Sequence, residues 1–312
     1  MVLSTPLTRD TSCAVGTDPH SDAYDPVNHD LYVPNSGSGN LTILTGGCKF
    51  VATVTFPTGS LPIAAAFDPT DNEVYVTDAS LNQVYAISGH NLVGTITGFD
   101  GPWGIAFDPG IASEQPSGMA VANSGSDSLV VFAGNPDGVG VELDLPTGKA
   151  PKDVVFDPAD GRLVVTNSGS NNLTSYAFAY TEEGESVSVL WIPVGTDPVG
   201  IAWDPIDGFD YVTNAGSNNV SIICDFCVGG GVPTSISVGS QPRSIVWDQA
   251  TLSLYVVNYG SNNVSVINPI FDEVSRTIKG PSGSGLLGID YDAATDKVFV
   301  TGYHSGLVYV YS

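Results

Sequence analysis

Seven aspartates, Asp25, Asp68, Asp108, Asp157, Asp204, Asp248 and Asp292, recur at intervals of 40 to 49 residues, and each closes an apolar stretch that runs into a turn. In the clearest unit the stretch is Gly200-Ile-Ala-Trp-Asp204, and Pro205 and Gly208 mark the turn. Tyr211-Val-Thr-Asn214 follows, then a Gly-Ser-Asn turn and a second apolar run, Val220–Ile223. Four strand-sized segments per unit, repeated with a period in the forties, predict a β-propeller. Seven units account for the whole chain, so residues 1–312 read as one seven-bladed, all-β domain of four antiparallel strands per blade. The strands are apolar on both faces, as expected where each blade is packed between two others.

The chain ends complement one another. Residues 288–312 supply three strands and stop, while residues 1–17 supply one strand with no partners ahead of it. Ser12-Cys-Ala-Val-Gly-Thr-Asp-Pro19 also aligns with the outer-strand exit Trp191-Ile-Pro-Val-Gly-Thr-Asp-Pro198. The N-terminal strand is therefore expected to be the outer strand of the last blade, a closure that hides sheet edges. Strand direction then sorts the loops. The Asp-Pro turns lie on one face, and the Asn-Ser-Gly-Ser-Asn hairpins lie on the other, around the mouth of the central channel.

With 33 acidic against 9 basic side chains the formal net charge is −24. That field argues against nucleic acid and anionic membrane as partners, since phosphate backbones are bound by neutralising Lys and Arg. No apolar run reaches the length of a membrane span. The first residues lack the basic and apolar regions of a signal peptide. We expect an extracellular or cell-surface protein whose leader is absent from this chain.

The paired aspartates of turns such as Asp68-Pro-Thr-Asp-Asn-Glu73 lack the ligand spacing of a calcium loop and read as turn chemistry. Four sequons begin at Asn40, Asn172, Asn219 and Asn263, at one place in their blades, and are candidate glycosylation sites or simply a repeated hairpin phrase. Cys224-Asp-Phe-Cys227 has the spacing of a local disulfide. Cys13 and Cys48 belong to the last and first blades. Aligning outer strands places them about eight residues out of step, near opposite faces, so free thiols are expected.

Chemistry is expected at the channel mouth. The residues just after the proline position that opens each blade, which is Leu286 in the last, are His20, Ile63, Trp103, Lys152, Val199, Arg243 and Leu287. Lys152 and Arg243 are its cations, and with Trp103 as a stacking surface they suit an acidic small ligand such as a carboxylated sugar. Asp22, Asp153, Asp290, Tyr303 and His304 are polar neighbours. His20, Asp22, Asp290 and His304, at the seam between the last and first blades, are candidate ligands for a divalent metal. Nothing resembles a phosphate-binding glycine loop or a nucleophile elbow.

The phrases Tyr211-Val-Thr-Asn-Ala-Gly-Ser-Asn-Asn-Val-Ser221 and Tyr255-Val-Val-Asn-Tyr-Gly-Ser-Asn-Asn-Val-Ser265, with Val164-Val-Thr-Asn167 as a variant, resemble the repeat of the YVTN-type β-propellers. Tyr75-Val-Thr-Asp78 and Phe299-Val-Thr-Gly302 depart from it. The resemblance implies surface-layer-like proteins and points outward from the cytoplasm. Related seven-bladed propellers include lactonases, a streptogramin lyase, redox-cofactor enzymes and a periplasmic single-stranded-DNA binder. The glutamate that gluconolactonase-like members carry near the start of an early blade has no counterpart here. The leading expectation is a non-enzymatic surface module that binds protein or glycan through its loop faces. The alternative is a propeller hydrolase, lactonase or lyase acting on a small molecule with a metal at the channel mouth.

Overall fold

The structure, a computed structural model, describes residues 8–110, 117–133, 143–158, 161–181, 184–224 and 234–312, with side chains described outside 179–185. Seven four-stranded antiparallel sheets form the blades. There is no helix among the described residues, and so none long enough to cross a membrane. We letter the strands A to D from the channel outward. The A strands are Ala23–Asp25, Pro62–Asp68, Pro102–Asp108, Pro151–Asp157, Pro198–Asp204, Pro242–Asp248 and Leu286–Asp292. In the last blade, strand D is Arg9–Ala14, paired with Leu307–Tyr311 so that Cys13 lies opposite Val308. The ring thus closes through the N-terminal strand.

Local chemistry explains the repeat. The seven aspartates are buried, and their carboxylates cap the turns that follow: Asp25, Asp204 and Asp292 each accept a backbone N–H two residues on at 2.8 Å. Turn capping, as the sequence suggested, is the work of these residues. The hairpin between strands B and C is held from inside. Asn214 Nδ2 donates to Asn219 Oδ1 and to Ser221 Oγ, both at 2.9 Å. Asn35, Asn167 and Asn258 repeat this with Asn40 and Thr42, Asn172 and Thr174, and Asn263 and Ser265. The sequon asparagines are half-buried and the sequon hydroxyls are buried, so both partners of the phrase are committed to the hairpin.

Strand A carries a register shift at the position after its opening residue in blades two to seven. In blades two, four, five and seven a strand-B threonine fills the gap, and Ala122 and Val257 stand there in blades three and six. Thr213 Oγ1 accepts the Gly200 N–H at 2.8 Å and donates to the Arg243 carbonyl of the next blade at 2.8 Å. Thr77 clasps Ala64 and Trp103, and Thr166 clasps Asp153 and Val199, in the same way. A bulge re-aims the side chain it carries. Here it turns one residue per blade toward the axis.

Each seam between blades has its own apolar cluster, and one facing pair of strand-A residues recurs in six of them. Ala23 and Ala65 share a cluster, as do Ala66 and Ile105, and Ala106 and Val154. Val155 with Ile201, Ala202 with Ile245 and Val246 with Ile289 complete the set. At the seam between blades seven and one the corresponding pair is Asp290 and Asp22. Asp290 accepts the N–H groups of Tyr24 across the seam and of Tyr291, each at 2.8 Å. Asp22 is 5% exposed and neither carboxylate oxygen has a hydrogen-bond partner. Burial, then the charge of Asp290, pushes the Asp22 carboxyl well above the usual range. Burial raises Asp290 to about 6 against the pull of its two backbone donors.

Cys13 and Cys48 form a disulfide with a Cα–Cα separation of 5.4 Å, which corrects the expectation of free thiols. The expectation measured height along parallel outer strands. Neighbouring strands rotate by about 20–25°, so by strand D the chain runs steeply across the direction of strand A. An offset along the outer strand is then displacement round the rim, toward the neighbouring blade. Cys224 is disulfide-bonded, and Cys227, its expected partner, lies outside the described residues.

Two outcomes follow. Replacing even a buried ion pair by apolar residues is often neutral or stabilises a fold by about 1–4 kcal/mol, and two buried carboxyls lack the attraction that such a pair would lose. Asp22→Ile with Asp290→Ala should therefore raise the melting temperature. Unfolded carboxyls ionise near pH 4, folded Asp290 ionises near 6 and Asp22 is raised by burial and by the charge of Asp290, so the native chain holds more protons above pH 4 and loses stability as pH rises. The gain should accordingly be larger at pH 8 than at pH 4, as read by calorimetry. Separately, the disulfide closes a loop of 35 residues, worth about 4 kcal/mol in the chain-entropy picture. Cys13→Ser with Cys48→Ser should lower the melting temperature by several degrees, and reductant should do the same to the wild type but not to the variant.

Candidate functional site

On the hairpin face the channel opens into a cavity of about 430 Å³ lined by all seven bulge residues, from His20 to Leu287, as the sequence predicts. Its walls come in three tiers. The residue after the bulge forms the lowest tier and is Gly, Ala or Ser in six blades; in blade four it is Asp153. The bulge residues form the middle tier. The first residue of the B–C hairpin forms the upper tier and is Ser or Ala in five blades, but Tyr259 and Tyr303 in blades six and seven. Small residues on the lowest tier are required because inner strands run close together there. A Cβ on Gly104 would lie 2.6 Å from the Lys152 carbonyl, and one on Gly288 2.6 Å from that of His20. Asp153, at the same place, answers the crowding with hydrogen bonds. Its Oδ1 accepts the Val154 N–H at 3.0 Å and its Oδ2 the Ile201 N–H of blade five at 3.2 Å.

The titrating groups are strongly perturbed. Burial lifts the Asp153 carboxyl to about 7 despite those two donors. Burial drives the His20 imidazole down to about 4, with Asp18 opposing and Arg243 adding to the effect, so His20 is neutral at pH 7. Burial lowers the Lys152 ammonium, Asp197 raises it and Arg243 lowers it again. Lys152 Nζ stands 3.6 Å from the centroid of the Trp103 ring and 3.4 Å from Ser124 Oγ. The indole thus holds the lysine by a cation–π contact, and the stacking surface expected of Trp103 is taken up on that side. Two cations and a carboxyl that titrates near neutrality face one cavity. Such a set has the charge to bind an anion and a group able to exchange a proton near neutral pH.

The expected metal ligands are not gathered. His20 lies in the cavity wall, edge-on to Tyr303 at 5.5 Å and to Trp103 at 6.4 Å. His304 is exposed on the rim, with Nε2 3.0 Å from Tyr259 Oη. Asp22 and Asp290 are packed in the closure seam and do not line the cavity. Among the described residues no three His, Cys, Asp or Glu side chains form a metal-binding group. The four candidates adjoin in the repeat, but the strand directs the aspartates between blades and the histidines to the mouth. Asp153 and Tyr259 carry more of the site than sequence reasoning assigned to them. The signal was present in their departure from the Gly, Ala or Ser that the other blades hold at those positions.

Comparison with known proteins bears on both readings of function. The family described as "Lactonase, 7-bladed beta-propeller" matches residues 9–184. Among solved structures, selenomethionine-substituted virginiamycin B lyase from Staphylococcus aureus superposes with a TM-score of 0.79 at 14% identity, over 98% of this chain and 99% of the other. Kuenenia stuttgartiensis hydrazine synthase superposes with a TM-score of 0.76 at 16% identity, over 99% and 98% of the two chains. At such identities these likenesses speak to the fold alone. No curated protein matches the chain by sequence. The family match overturns the leading expectation of a non-enzymatic surface scaffold. The chain belongs to the lactonase family of seven-bladed β-propellers.

Proposed function

We propose that this protein is a small-molecule lactonase that works at the channel mouth on a substrate carrying a negative charge. The observation that carries the reading is the joint presence of Lys152, Arg243 and the near-neutral Asp153 in one cavity. Water attacks the lactone carbonyl carbon as the ionised Asp153 takes its proton. The resulting oxyanion develops beside the cations. The ring C–O bond then breaks, and the leaving ring oxygen takes the proton back from Asp153, giving a hydroxy acid. His20, neutral at pH 7, adds no charge that would compete for the substrate. Within the family, the Tyr-Val-Thr-Asn phrases support placement among the YVTN-type repeats. The Cys13–Cys48 disulfide supports an oxidising compartment as the place of work, since such bonds seldom persist in the cytosol.

Initial rates on a panel of carboxylated lactones, followed by acid release, test the proposal. The rate should rise with pH through about 7 as Asp153 ionises. Asp153→Asn should remove that inflection and cost about 10²–10⁴-fold in kcat. Arg243→Met and Lys152→Met should each lower kcat/KM by about 10²-fold or more, the scale of a lost oxyanion donor. A panel that is hydrolysed equally well by Asp153→Asn would exclude this mechanism.

A further inference from the structure

We infer that the acid accepted at this mouth carries an aromatic ring, which lies against Tyr303, Tyr259 and His20 while its carboxylate meets Lys152 and Arg243. The inference rests on the functional reading above and narrows its substrate class. Its starting point is the asymmetry of the upper tier. Five blades place Ser36, Ala79, Ser124, Ser168 and Ala215 there, and blades six and seven place two tyrosines. Both tyrosines are half-buried and line the cavity. They belong to one continuous ring system. Tyr259 Oη is held by His304 Nε2 at 3.0 Å, His304 stands 5.2 Å from Tyr303, and Tyr303 stands 5.5 Å from His20. Edge-to-face contacts of this kind leave ring faces to meet a further ring. The wall therefore covers blades six, seven and one, and the low Ser and Ala tier of blades two to five leaves the other side open.

The chemistry of the remaining lining separates an aromatic acid from a sugar acid. No Asn, Gln or Glu lines the cavity, and Ile63, Val199 and Leu287 occupy three of the seven middle positions. A polyhydroxylated ligand would have Ser21, Ser244, His20, Asp153 and the tyrosine hydroxyls to share among its groups, and both Asp153 oxygens and the Tyr259 hydroxyl already have partners. Each hydroxyl buried without a partner costs about 1–3 kcal/mol. An aromatic acid asks only for a cation and ring surface, and both are present. This departs from the carboxylated sugar suggested by the cations alone. The volume, about 430 Å³, sits low in the range of about 300–1,000 Å³ typical of small-ligand sites, which suits one or two fused rings. His304 becomes a positioning residue, since it touches Tyr259 rather than the ligand.

Isothermal titration with 2-naphthoate, cyclohexanecarboxylate and gluconate tests the inference. Naphthoate should bind about 2- to 12-fold more tightly than either of the others, the scale of an aromatic contact beyond simple burial. Tyr303→Leu should abolish that preference and Tyr303→Phe should keep it, with melting curves confirming that both fold. Lys152→Met should weaken all three acids alike. Gluconate binding as tightly as naphthoate, cyclohexanecarboxylate matching it, or a preference that survives Tyr303→Leu would overturn the aromatic assignment and leave the anion-binding reading standing. Failure of all three acids to bind would overturn both.

Discussion

The threonine of the Val-Thr phrase, present as Thr77, Thr166 and Thr213 in blades two, four and five, ties the inner strand of its blade to that of the next. Its hydroxyl accepts a backbone N–H from the bulged inner strand of its own blade and donates to the bulge carbonyl of the next. One side chain thereby does two jobs: it satisfies an amide that the bulge removes from the sheet ladder, and it ties consecutive blades at the radius where they are closest. A hydrogen bond buried at that radius nets only about 1 kcal/mol, but leaving its partners unmade would cost more. Where the bulge is held this way the residue it carries faces the channel, and the same bulge forms in blades three and six, which carry Ala122 and Val257 at the threonine position. The composition of the mouth is thus written directly into the sequence, one position per blade.

That coupling explains which parts of the protein were legible before the coordinates. The seven-blade count, the closing N-terminal strand and the seven bulge residues were all readable, because each depends on local phrases repeated in register. Cys13 and Cys48 were misjudged because their meeting depends on twist accumulated across four strands, which no local phrase records. The metal quartet failed for a related reason. His20 and Asp22 are two residues apart, yet the register shift near the start of strand A sends one to the cavity and the other between blades. The sequons follow the repeated-hairpin reading: their recurrence tracks Asn35, Asn167, Asn214 and Asn258, which take an amide oxygen and a hydroxyl at fixed spacing to close the hairpin.

In a chain built on one template, a site is made by departures from it. The mouth departs at each of its tiers, and the departures are complementary. Asp153 places a carboxyl low in the cavity, Lys152 and Arg243 place charge above it, and Tyr259 and Tyr303 roof one side. The setting magnifies the two cations. The chain has 9 Lys and Arg side chains against 33 acidic ones, so a local positive field inside a net charge of −24 admits an anion only where those two groups overcome the surrounding repulsion. Trp103 helps by holding the Lys152 ammonium over its ring, which fixes the charge at the wall without consuming it in an ion pair.

The closure seam follows a different logic from the other six. Everywhere else each blade is one continuous run of chain, and consecutive blades pack through an apolar strand-A pair. Blade seven is completed only by pairing of Arg9–Ala14 with Leu307–Tyr311, so there the ring depends on non-covalent contacts between the two ends of the chain. The disulfide does not cross that junction, since Cys13 and Cys48 lie on the N-terminal side of it. What it does is hold the N-terminal strand against blade one, so that Leu307–Tyr311 meets a partner already in place. Asp22 and Asp290 work in the other direction: they replace an apolar contact with two buried carboxyls, one lacking any hydrogen-bond partner. The strand that closes the ring is thus covalently braced on its outer edge, and the seam beside it is the one whose inner contact weakens as the carboxyls ionise.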